Sequence, residues 1–328
     1  LKAFWLRCAC SCSWSLCFSE VVYRASGVRT DLSMRSLVVG SLLAASAHVY
    51  PTSASPPTVL VTGATGQTGA ATYRALKETA EFGVRAFVRN ATKAKLFLGC
   101  DKCDESEGVF VGDLSDPPSL VNAMKGVDKL VIATAAVARC TGTPPVPPFG
   151  SCSYPEGAAP IDIDWRGTMA QVTALASNGG NRSSKQVAYV SAGGTQTPNS
   201  FFDKIGNGHI SFYKLNAESF IMSSGLPFTI VKPCGLGTGA PGKNKLVVGH
   251  DGDGFDLKIS HTIQRSDVAR VLVESLRNPD FGAGLRFDVC SQAWGAATTD
   301  IVKDVFEPAM YPWDKRLQKH GDQSLLVV

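Results

Sequence analysis

The sequence lacks a strong excess of charge of either sign. Its 328 residues include 32 lysines and arginines against 28 aspartates and glutamates, which gives a formal net charge of +4. The basic residues are spread along the chain rather than gathered into one cluster. Proteins that bind nucleic acid through its phosphates usually present a concentrated basic surface. We therefore expect no nucleic-acid partner.

The sequence also lacks an apolar run long enough to cross a bilayer. The candidate run at 37–45 is far shorter than the roughly 20 residues that a spanning helix needs, so we expect no stable membrane span. This run follows Met34 and a basic residue and leads into Ala45-Ser46-Ala47, a pattern typical of a removable targeting presequence. We interpret 1–57 as a presequence and linker; a weak membrane anchor or a disordered tail is the alternative.

The paired cysteine motifs of a zinc site are missing as well, although the chain contains ten cysteines. Cys100 and Cys103 form one C-x-x-C motif, and no second pair follows at a zinc-finger spacing. We expect no metal site. Cys140 and Cys152 could form a bridge across a proline-rich loop in an oxidising compartment. Because a domain of this size does not need disulfide bonds for stability, we expect free thiols.

Short apolar runs rich in Val, Ile, Leu and Phe alternate with helical stretches from residue 58 onward. Such runs are typical of parallel strands buried on both faces, and their alternation with helices predicts right-handed crossovers. The sequence therefore predicts an α/β fold, a doubly wound parallel sheet of the Rossmann type, as a single domain over 58–295. A small substrate-side extension, a helix or tail, is predicted at 296–328. The six predicted strands are 58–63, 84–89, 108–113, 129–135, 186–192 and 227–233.

Two segments interrupt this alternation. The first, 138–160, is rich in proline and follows a strand's carboxyl end, the edge where ligands bind in open α/β sheets; we predict a lid there. The second, 237–260, carries glycine-rich turns and short β signals that predict a hairpin. Its stretch DGDGFD is not a calcium loop, because Phe255 and Thr262 occupy positions that must supply oxygen ligands.

Three glycines at three-residue spacing follow the first predicted strand and open the first predicted helix. In this context Gly63, Gly66 and Gly69 would allow a tight turn, close approach of a pyrophosphate, and close helix–strand packing. The helix N-terminus would present N–H groups to the phosphates. We predict that this segment binds a nicotinamide dinucleotide, and that a purely structural turn is the less favoured alternative. The predicted contacts are Thr62, Gly63, Ala64, Thr65, Gly66, Gln67, Thr68 and Gly69.

The type of dinucleotide is indicated at the end of the second predicted strand. An acidic residue there binds the ribose of NAD, whereas a basic residue suits the 2′-phosphate of NADP. The sequence has Arg89 at this position, with Lys93 nearby, and a guanidinium matches phosphate geometry. We therefore predict NADP, with NAD less favoured. The alternative for Arg89 is a solvated charge at a strand end.

Several segments in order and at consistent spacing resemble those of the atypical short-chain dehydrogenases/reductases. The resemblance covers about 58–291 and is strongest to small NAD(P)-binding proteins of plants and cyanobacteria, which are related to NmrA-like and isoflavone-reductase-like proteins. The matching segments are VTGATGQTG, FVRN, GDLSD, YVSAGG, FFDKIGNGHISFYKLNAESF, GLPFTIVKPCGL and RSDVAR.

The resemblance implies further cofactor contacts and two catalytic residues. Ser191 corresponds to the family's catalytic serine, and Lys214 to the catalytic lysine that also holds the cofactor. A structural role for Ser191 and a surface position for Lys214 are the alternatives. The implied contacts are Asp113 and Leu114 at the adenine, Ala133, Thr134 and Ala135 along the ribose and phosphates, and Pro233, Cys234 and Gly235 near the nicotinamide.

The family's catalytic tyrosine is missing. It should stand four positions before Lys214, where this sequence has Ile210. The lysine normally lowers the pKa of that phenol so that it can act as general acid/base. Tyr213 is rotated by about 100° around a helix and cannot simply substitute. A proton for carbonyl reduction would then come from water, from Ser191, or from the 138–160 segment, for example from Tyr154.

Two functions remain open. The first is an NADP(H)-dependent oxidoreductase that acts on a small organic substrate without the usual tyrosine. The second is a redox-silent NADP(H)-binding sensor, assembly factor or scaffold subunit with protein partners. The presequence and the plant-like resemblance together predict a plastid location, with the secretory pathway as the alternative.

Overall fold

The polypeptide is organised around an eight-stranded sheet. The structure is a computed structural model and describes residues 55–141, 152–197, 199–201, 203–251 and 262–314. The predicted presequence and linker therefore lie outside the described residues, apart from 55–57.

In chain order the strands are β1 (Thr58–Thr62), β2 (Gly83–Val88), β3 (Val109–Val111), β4 (Lys129–Ile132), β5 (Arg139–Cys140), β6 (Cys152–Ser153), β7 (Gln186–Val190), β8 (Phe228–Pro233), β9 (Gly235–Gly237), β10 (Lys245–Gly249), β11 (Thr262–Gln264) and β12 (Leu285–Gln292). Their order in the eight-stranded sheet is β10-β12-β8-β7-β4-β1-β2-β3.

Helices cover both faces of this sheet. They are α1 (Gln67–Thr79), α2 (Ala91–Leu98), α3 (Pro117–Met124), α4 (Gly167–Ser177), α5 (Ile210–Ser223), α6 (Arg265–Arg277), α7 (Pro279–Gly282) and α8 (Glu307–Ala309). Wide π-helical turns at Ile161–Arg166 and Val302–Phe306 lead into α4 and α8. None of the helices in the described ranges is both long enough and apolar enough to cross a membrane.

The core is divided into two apolar layers by the sheet. Along β1, Val59 and Val61 face a cluster that includes side chains of α1 and α6. The intervening Leu60 faces a second cluster built with α3, α4 and α5. Successive side chains of a strand point to opposite faces, so a continuous apolar run fills both layers. This confirms the predicted doubly wound α/β fold.

Six predicted strands correspond to β1, β2, β3, β4, β7 and β8, all of which pair in parallel. Several predictions extended two or three residues too far at the carboxyl end. The segment predicted at 129–135, for example, leaves the sheet after Ile132. Apolar composition continues past the last ladder hydrogen bond because those residues line the carboxyl edge of the sheet. The site described below is built at this edge.

The predicted hairpin at 237–260 is wrong for the described part of that segment. β10 pairs antiparallel with β12, about forty residues further along the chain, while β9 pairs in parallel with β11. Local turn signals cannot distinguish a strand that pairs with its neighbour from one that closes a distant edge. The central residues of the predicted lid, 142–151, lie outside the described residues, and its two flanks pair as β5 and β6.

The expectation of free thiols is also wrong. Disulfides join Cys100 to Cys103, Cys140 to Cys152, and Cys234 to Cys290, with Cα–Cα distances of 5.1, 4.0 and 5.2 Å. The size of a domain indicates whether it needs disulfides for stability. Which cysteines form disulfides is decided by the fold, because only cysteines that lie close together in space can bond. One of these disulfides, Cys140–Cys152, is the bridge that the sequence allows across the proline-rich loop. It joins β5 to β6.

The described part of the C-terminal extension packs into the core. Ile301, Val305 and Phe306 belong to the layer that contains α1 and α6, and Phe306 packs edge-to-face on Phe287 of β12 with ring centroids 6.3 Å apart. This extension therefore completes one apolar layer of the domain.

We predict that Phe306→Ala destabilises the protein by about 3–5 kcal/mol, because a fully buried aromatic side chain is replaced by a cavity. Lys303→Ala, an exposed change in the same segment, should alter the free energy of unfolding by less than about 0.5 kcal/mol. Urea unfolding measures both values. Equal, small effects of the two substitutions would show that the extension does not contribute to the core.

Candidate cofactor and active site

The turn between β1 and α1 is packed so tightly that it requires glycine. Gly63 has a φ of +67°, and a Cβ on it would lie 2.7 Å from the carbonyl oxygen of Ala133. A Cβ on Gly69 would collide with the carbonyl of Gly63. The Gly66 N–H donates to the Gly63 carbonyl at 2.8 Å. The turn is therefore held against the carboxyl end of β4 with its backbone accessible, which is the geometry that a pyrophosphate needs.

The N-terminus of α1 completes this cradle. Gly66 caps the helix without a side-chain hydrogen bond, and Gly66 and Gln67 are exposed. First-turn N–H groups have no partner within a helix, so they can bind an anion. The threonines differ in their surroundings. Thr62 is fully buried and its hydroxyl donates to the Val131 carbonyl, Thr68 is buried, and Thr65 is half-buried. Of these three side chains, that of Thr65 is the most open to a ligand.

Arg89 lies directly after β2 and is exposed. Its charge acts on Asp113, a residue that follows the neighbouring strand β3. The pKa of Asp113 is held below its ordinary value of 3.8, first by the backbone N–H of Ser115, then by the Ser115 hydroxyl and the charge of Arg89. Leu114 packs towards α4, where a Cβ on Gly167 would lie 2.8 Å from its Cδ1. The predicted adenine-side residues therefore lie together at one end of the sheet edge.

The segment after β4 connects the glycine turn to the predicted catalytic residues. Ala133 and Thr134 are half-buried and Ala135 is exposed. The next N–H, of Ala136, donates to Asp164 Oδ2 at 2.9 Å. Asp164 belongs to the π-helical turn before α4 and is fully buried. This carboxylate was not among the predicted site residues.

Lys214 on α5 is a buried cation rather than a surface lysine. Its Nζ lies 3.0 Å from Asp164 Oδ1, 3.3 Å from the carbonyl of Val190 and 3.4 Å from the Tyr189 hydroxyl. Burial works against the charged form, but Tyr189 and Asp164 outweigh it, so the pKa of Lys214 is raised. Burial also raises the pKa of Tyr189, to about 12. At neutral pH the ammonium is therefore charged and the phenol protonated.

Ser191, the residue after β7, is buried, and its hydroxyl donates a hydrogen bond to Glu218 Oε1. Glu218, one helical turn after Lys214, also forms an ion pair with Arg286, whose Nε lies 2.8 Å from Oε2. The hydroxyl proton of Ser191 is thus directed at Glu218. In this arrangement Ser191 can accept a hydrogen bond but is poorly placed to donate a proton to a substrate.

Ile210 is the first residue of α5, and the start of that helix is fixed by a second buried carboxylate. Asp203 accepts hydrogen bonds from the N–H groups of Ser211 and Phe212, at 2.7 and 3.2 Å. His209, at φ +51°, places its Nδ1 3.3 Å from Asp203. The position of the family's tyrosine therefore lies in a capped first turn of α5, but it carries an aliphatic side chain.

The predicted nicotinamide segment follows β8. Pro233 and Cys234 are buried and Gly235 is exposed. Because Cys234 is bonded to Cys290 of β12, it presents no thiol, and its contribution would be backbone and shape. Since β1, β4, β7 and β8 are adjacent, the glycine turn, Lys214, Ser191 and this segment share one edge of the sheet.

Three buried carboxylates of this region were not among the predicted site residues: Asp164, Asp203 and Glu218. Asp164 falls where the sequence indicates the start of a helix, and an acidic residue there is read as a cap. A buried carboxylate cannot be told from a solvated one by spacing alone. The only sequence signal was Glu218, which lies four residues after Lys214 and so on the same face of α5.

Comparison with known proteins identifies the family. A family model described as NAD(P)H-binding matches residues 63–279. The chain belongs to this NAD(P)H-binding family. Sanguinarine reductase of Eschscholzia californica is 33% identical over 285 residues, covering 78% of this chain and 97% of that protein. An uncharacterised chloroplastic protein of Arabidopsis thaliana is 36% identical over 228 residues, which cover 68% of this chain and 66% of its relative.

Solved structures show the same fold. A short-chain dehydrogenase/reductase from Veillonella parvula, solved in complex with NADP, has a TM-score of 0.52 and 15% identity, covering 71% of this chain and 94% of the other. This likeness concerns the fold alone. The family match confirms the resemblance that the sequence motifs indicate. It also confirms the prediction that the protein binds a nicotinamide dinucleotide.

We predict that Asp164→Asn destabilises the protein by about 3–5 kcal/mol, because it leaves the Lys214 ammonium buried without its carboxylate. Urea unfolding of the two proteins measures this difference. The pKa of Lys214 is raised in the folded state, so the ion pair contributes fully below the ordinary pKa of 10.5 and is lost only at more alkaline pH. The difference between wild type and variant should therefore be constant from about pH 6 to about pH 9.

Asp162→Asn is the matched control. Asp162 forms an exposed pair with Arg166 in the same turn and should cost about 0–1 kcal/mol. A loss for Asp164→Asn no larger than this control would contradict the assignment of Asp164 as the essential counter-ion.

Proposed function

We propose that this protein is an NADP(H)-dependent oxidoreductase that reduces a small organic substrate without the usual catalytic tyrosine. The observation that carries the proposal is the common sheet edge shared by the glycine turn, the charged Lys214 and Ser191. The relative named sanguinarine reductase supports a reductive role. Bound NADPH would supply a hydride, and the protein must supply orientation, exclusion of water and a proton.

The proposed cofactor contacts follow the chain's own geometry. The backbone of Gly63–Gly69 and the N-terminus of α1 would bind the pyrophosphate, and Arg89 the 2′-phosphate. Asp113 and Leu114 would lie at the adenine, and Ala133, Thr134 and Ala135 along the ribose and phosphates. Pro233, Cys234 and Gly235 would border the nicotinamide. We propose that Lys214 holds the nicotinamide ribose and that Ser191 orients the substrate by accepting a hydrogen bond.

A second function, a redox-silent NADP(H)-binding sensor, assembly factor or scaffold subunit, is favoured by a specific observation. Ile210 offers no proton, and Lys214 is enclosed by Asp164, Tyr189 and Val190. A titration of residues 51–328 with NADPH, alone and with quinones, enones and aldehydes, separates the two functions. Oxidation of NADPH by any of these substrates supports the reductase. Tight binding without oxidation across the panel supports the redox-silent protein.

We also propose a plastid location, with the secretory pathway as the alternative. The pattern around Met34 supports a presequence, and the Arabidopsis relative is described as chloroplastic. A fluorescent protein fused to the C-terminus of the full chain should enter plastids. Fluorescence in the secretory pathway would contradict the proposal.

We predict that Arg89→Ala weakens NADPH binding about 10- to 100-fold, because a charged hydrogen bond to the 2′-phosphate contributes about 1.5–3 kcal/mol. NADH binding should change less than about twofold, since NADH lacks that phosphate. Nicotinamide fluorescence gives both dissociation constants.

Arg85→Ala is the control for this experiment. Arg85 lies earlier on β2, and its Nη1 donates to the Lys125 carbonyl at 2.6 Å. Its removal should leave the ratio of the two affinities unchanged. If Arg89→Ala weakens both nucleotides equally, the proposed preference for NADP is wrong.

A further inference from the structure

The missing proton donor leaves the proposed reductase incomplete. Ile210 cannot supply a proton, Ser191 directs its own to Glu218, and Tyr189 is fully buried with its hydroxyl against Lys214. A carbonyl substrate that accepts a hydride at carbon needs a proton at oxygen. The proposed reductase therefore needs a further acidic group that is open to a ligand at this sheet edge.

Tyr154 directly follows β6, and its ring packs against the turn that precedes α5. It is half-buried, and its ring lies over Gly206 and Gly208. A Cβ on Gly206 would lie 3.1 Å from the ring, and a Cβ on Gly208 would lie 2.8 Å from the phenolic oxygen. The Tyr154 hydroxyl therefore lies against Gly208, which is two residues before Ile210 in the chain. A side chain on Gly208 would collide with the tyrosine.

One disulfide and one pair of strands hold Tyr154 beside the turn that precedes α5. β6, which ends at the preceding residue, pairs with β5, and the disulfide Cys140–Cys152 joins the two strands. The carbonyl of Cys152 lies 3.3 Å from the position of a Cβ on Gly206. Since β5 begins shortly after the carboxyl end of β4, this tie anchors Tyr154 next to the proposed cofactor path.

Burial and two nearby carboxylates keep the Tyr154 phenol in its protonated form. Burial raises the pKa of its phenol above the ordinary value of 10, and the carboxylates of Asp164 and Asp203 raise it further. Asp164 is the partner of Lys214, and Asp203 the partner of His209. The phenol thus lies near the carboxylate paired with Lys214 and the one that caps α5, and it is protonated at neutral pH.

We propose that Tyr154 replaces the family's catalytic tyrosine and protonates the oxygen of a carbonyl-bearing substrate. This inference rests on the proposed reductase function. In the step, the phenolic O–H bond breaks and an O–H bond forms on the substrate oxygen, while the carbonyl carbon receives a hydride, which carries two electrons, from NADPH. NADPH is thereby oxidised to NADP⁺, and the Tyr154 phenolate regains a proton from water.

The first test needs no substrate. Tyrosine ionisation is followed by near-ultraviolet absorbance during an alkaline titration of wild type and Tyr154→Phe, with and without NADP⁺. The difference between the two proteins isolates Tyr154. We expect NADP⁺ to lower the pKa of Tyr154, because the cationic nicotinamide favours the nearby phenolate. Tyr213→Phe is the control, because it removes the hydroxyl of a tyrosine that packs on Phe212. The ionisation signal that this substitution removes should be the same with and without NADP⁺. An unshifted Tyr154 overturns the proposal.

The second test uses turnover. Tyr154→Phe retains the ring packed on Gly206 and Gly208, so NADPH affinity should change less than about twofold, while kcat falls about 100- to 10,000-fold. His209→Asn tolerates the left-handed backbone and should retain activity. Unchanged kcat in Tyr154→Phe, or loss of activity in His209→Asn alone, overturns the role of Tyr154. A wild type that binds NADPH but reduces no panel member contradicts the reductase, whereas a shifted Tyr154 pKa in the same protein still supports its place beside the nicotinamide.

Discussion

The buried ion pair between Lys214 and Asp164 joins four elements of the candidate site. Through Asp164 it binds the N–H of Ala136 after β4, and through Lys214 the carbonyl of Val190 at the end of β7. Two charges removed from water are stable only when each has close partners, and both have them here. The pair therefore fixes the positions of α5, the turn before α4 and two strand ends relative to one another.

A network of the same kind surrounds Ser191. Glu218 accepts a hydrogen bond from the Ser191 hydroxyl and pairs with Arg286, which in turn contacts Asp251 at 2.6 Å. This network holds the serine in a single orientation. A serine whose O–H is already engaged in a hydrogen bond serves best as an acceptor. In the proposed reductase, proton donation would therefore fall to another side chain.

The absence of the family's tyrosine is a local change in the sequence. The helix that would carry it is capped by Asp203, which accepts hydrogen bonds from two N–H groups of its first turn. Such a site can bind a dinucleotide without doing chemistry, or it can recruit a proton donor from a neighbouring segment. Tyr154 is held at that location by a disulfide and by two glycines, features that a purely passive binding site does not require.

The sequence by itself determined six parallel strands of the sheet, the glycine turn and the position of Arg89 after the second strand. These depend on apolar runs and on backbone geometry that only glycine permits. It also located Ile210, since the spacing to Lys214 is a local property. Only the tertiary structure decided the cysteine pairs, the partner of β10 and the three buried carboxylates. These depend on residues distant in sequence meeting in space, as Lys214 meets Asp164 fifty positions away. Burial changes the meaning of a charged residue, and burial is a property of the folded chain.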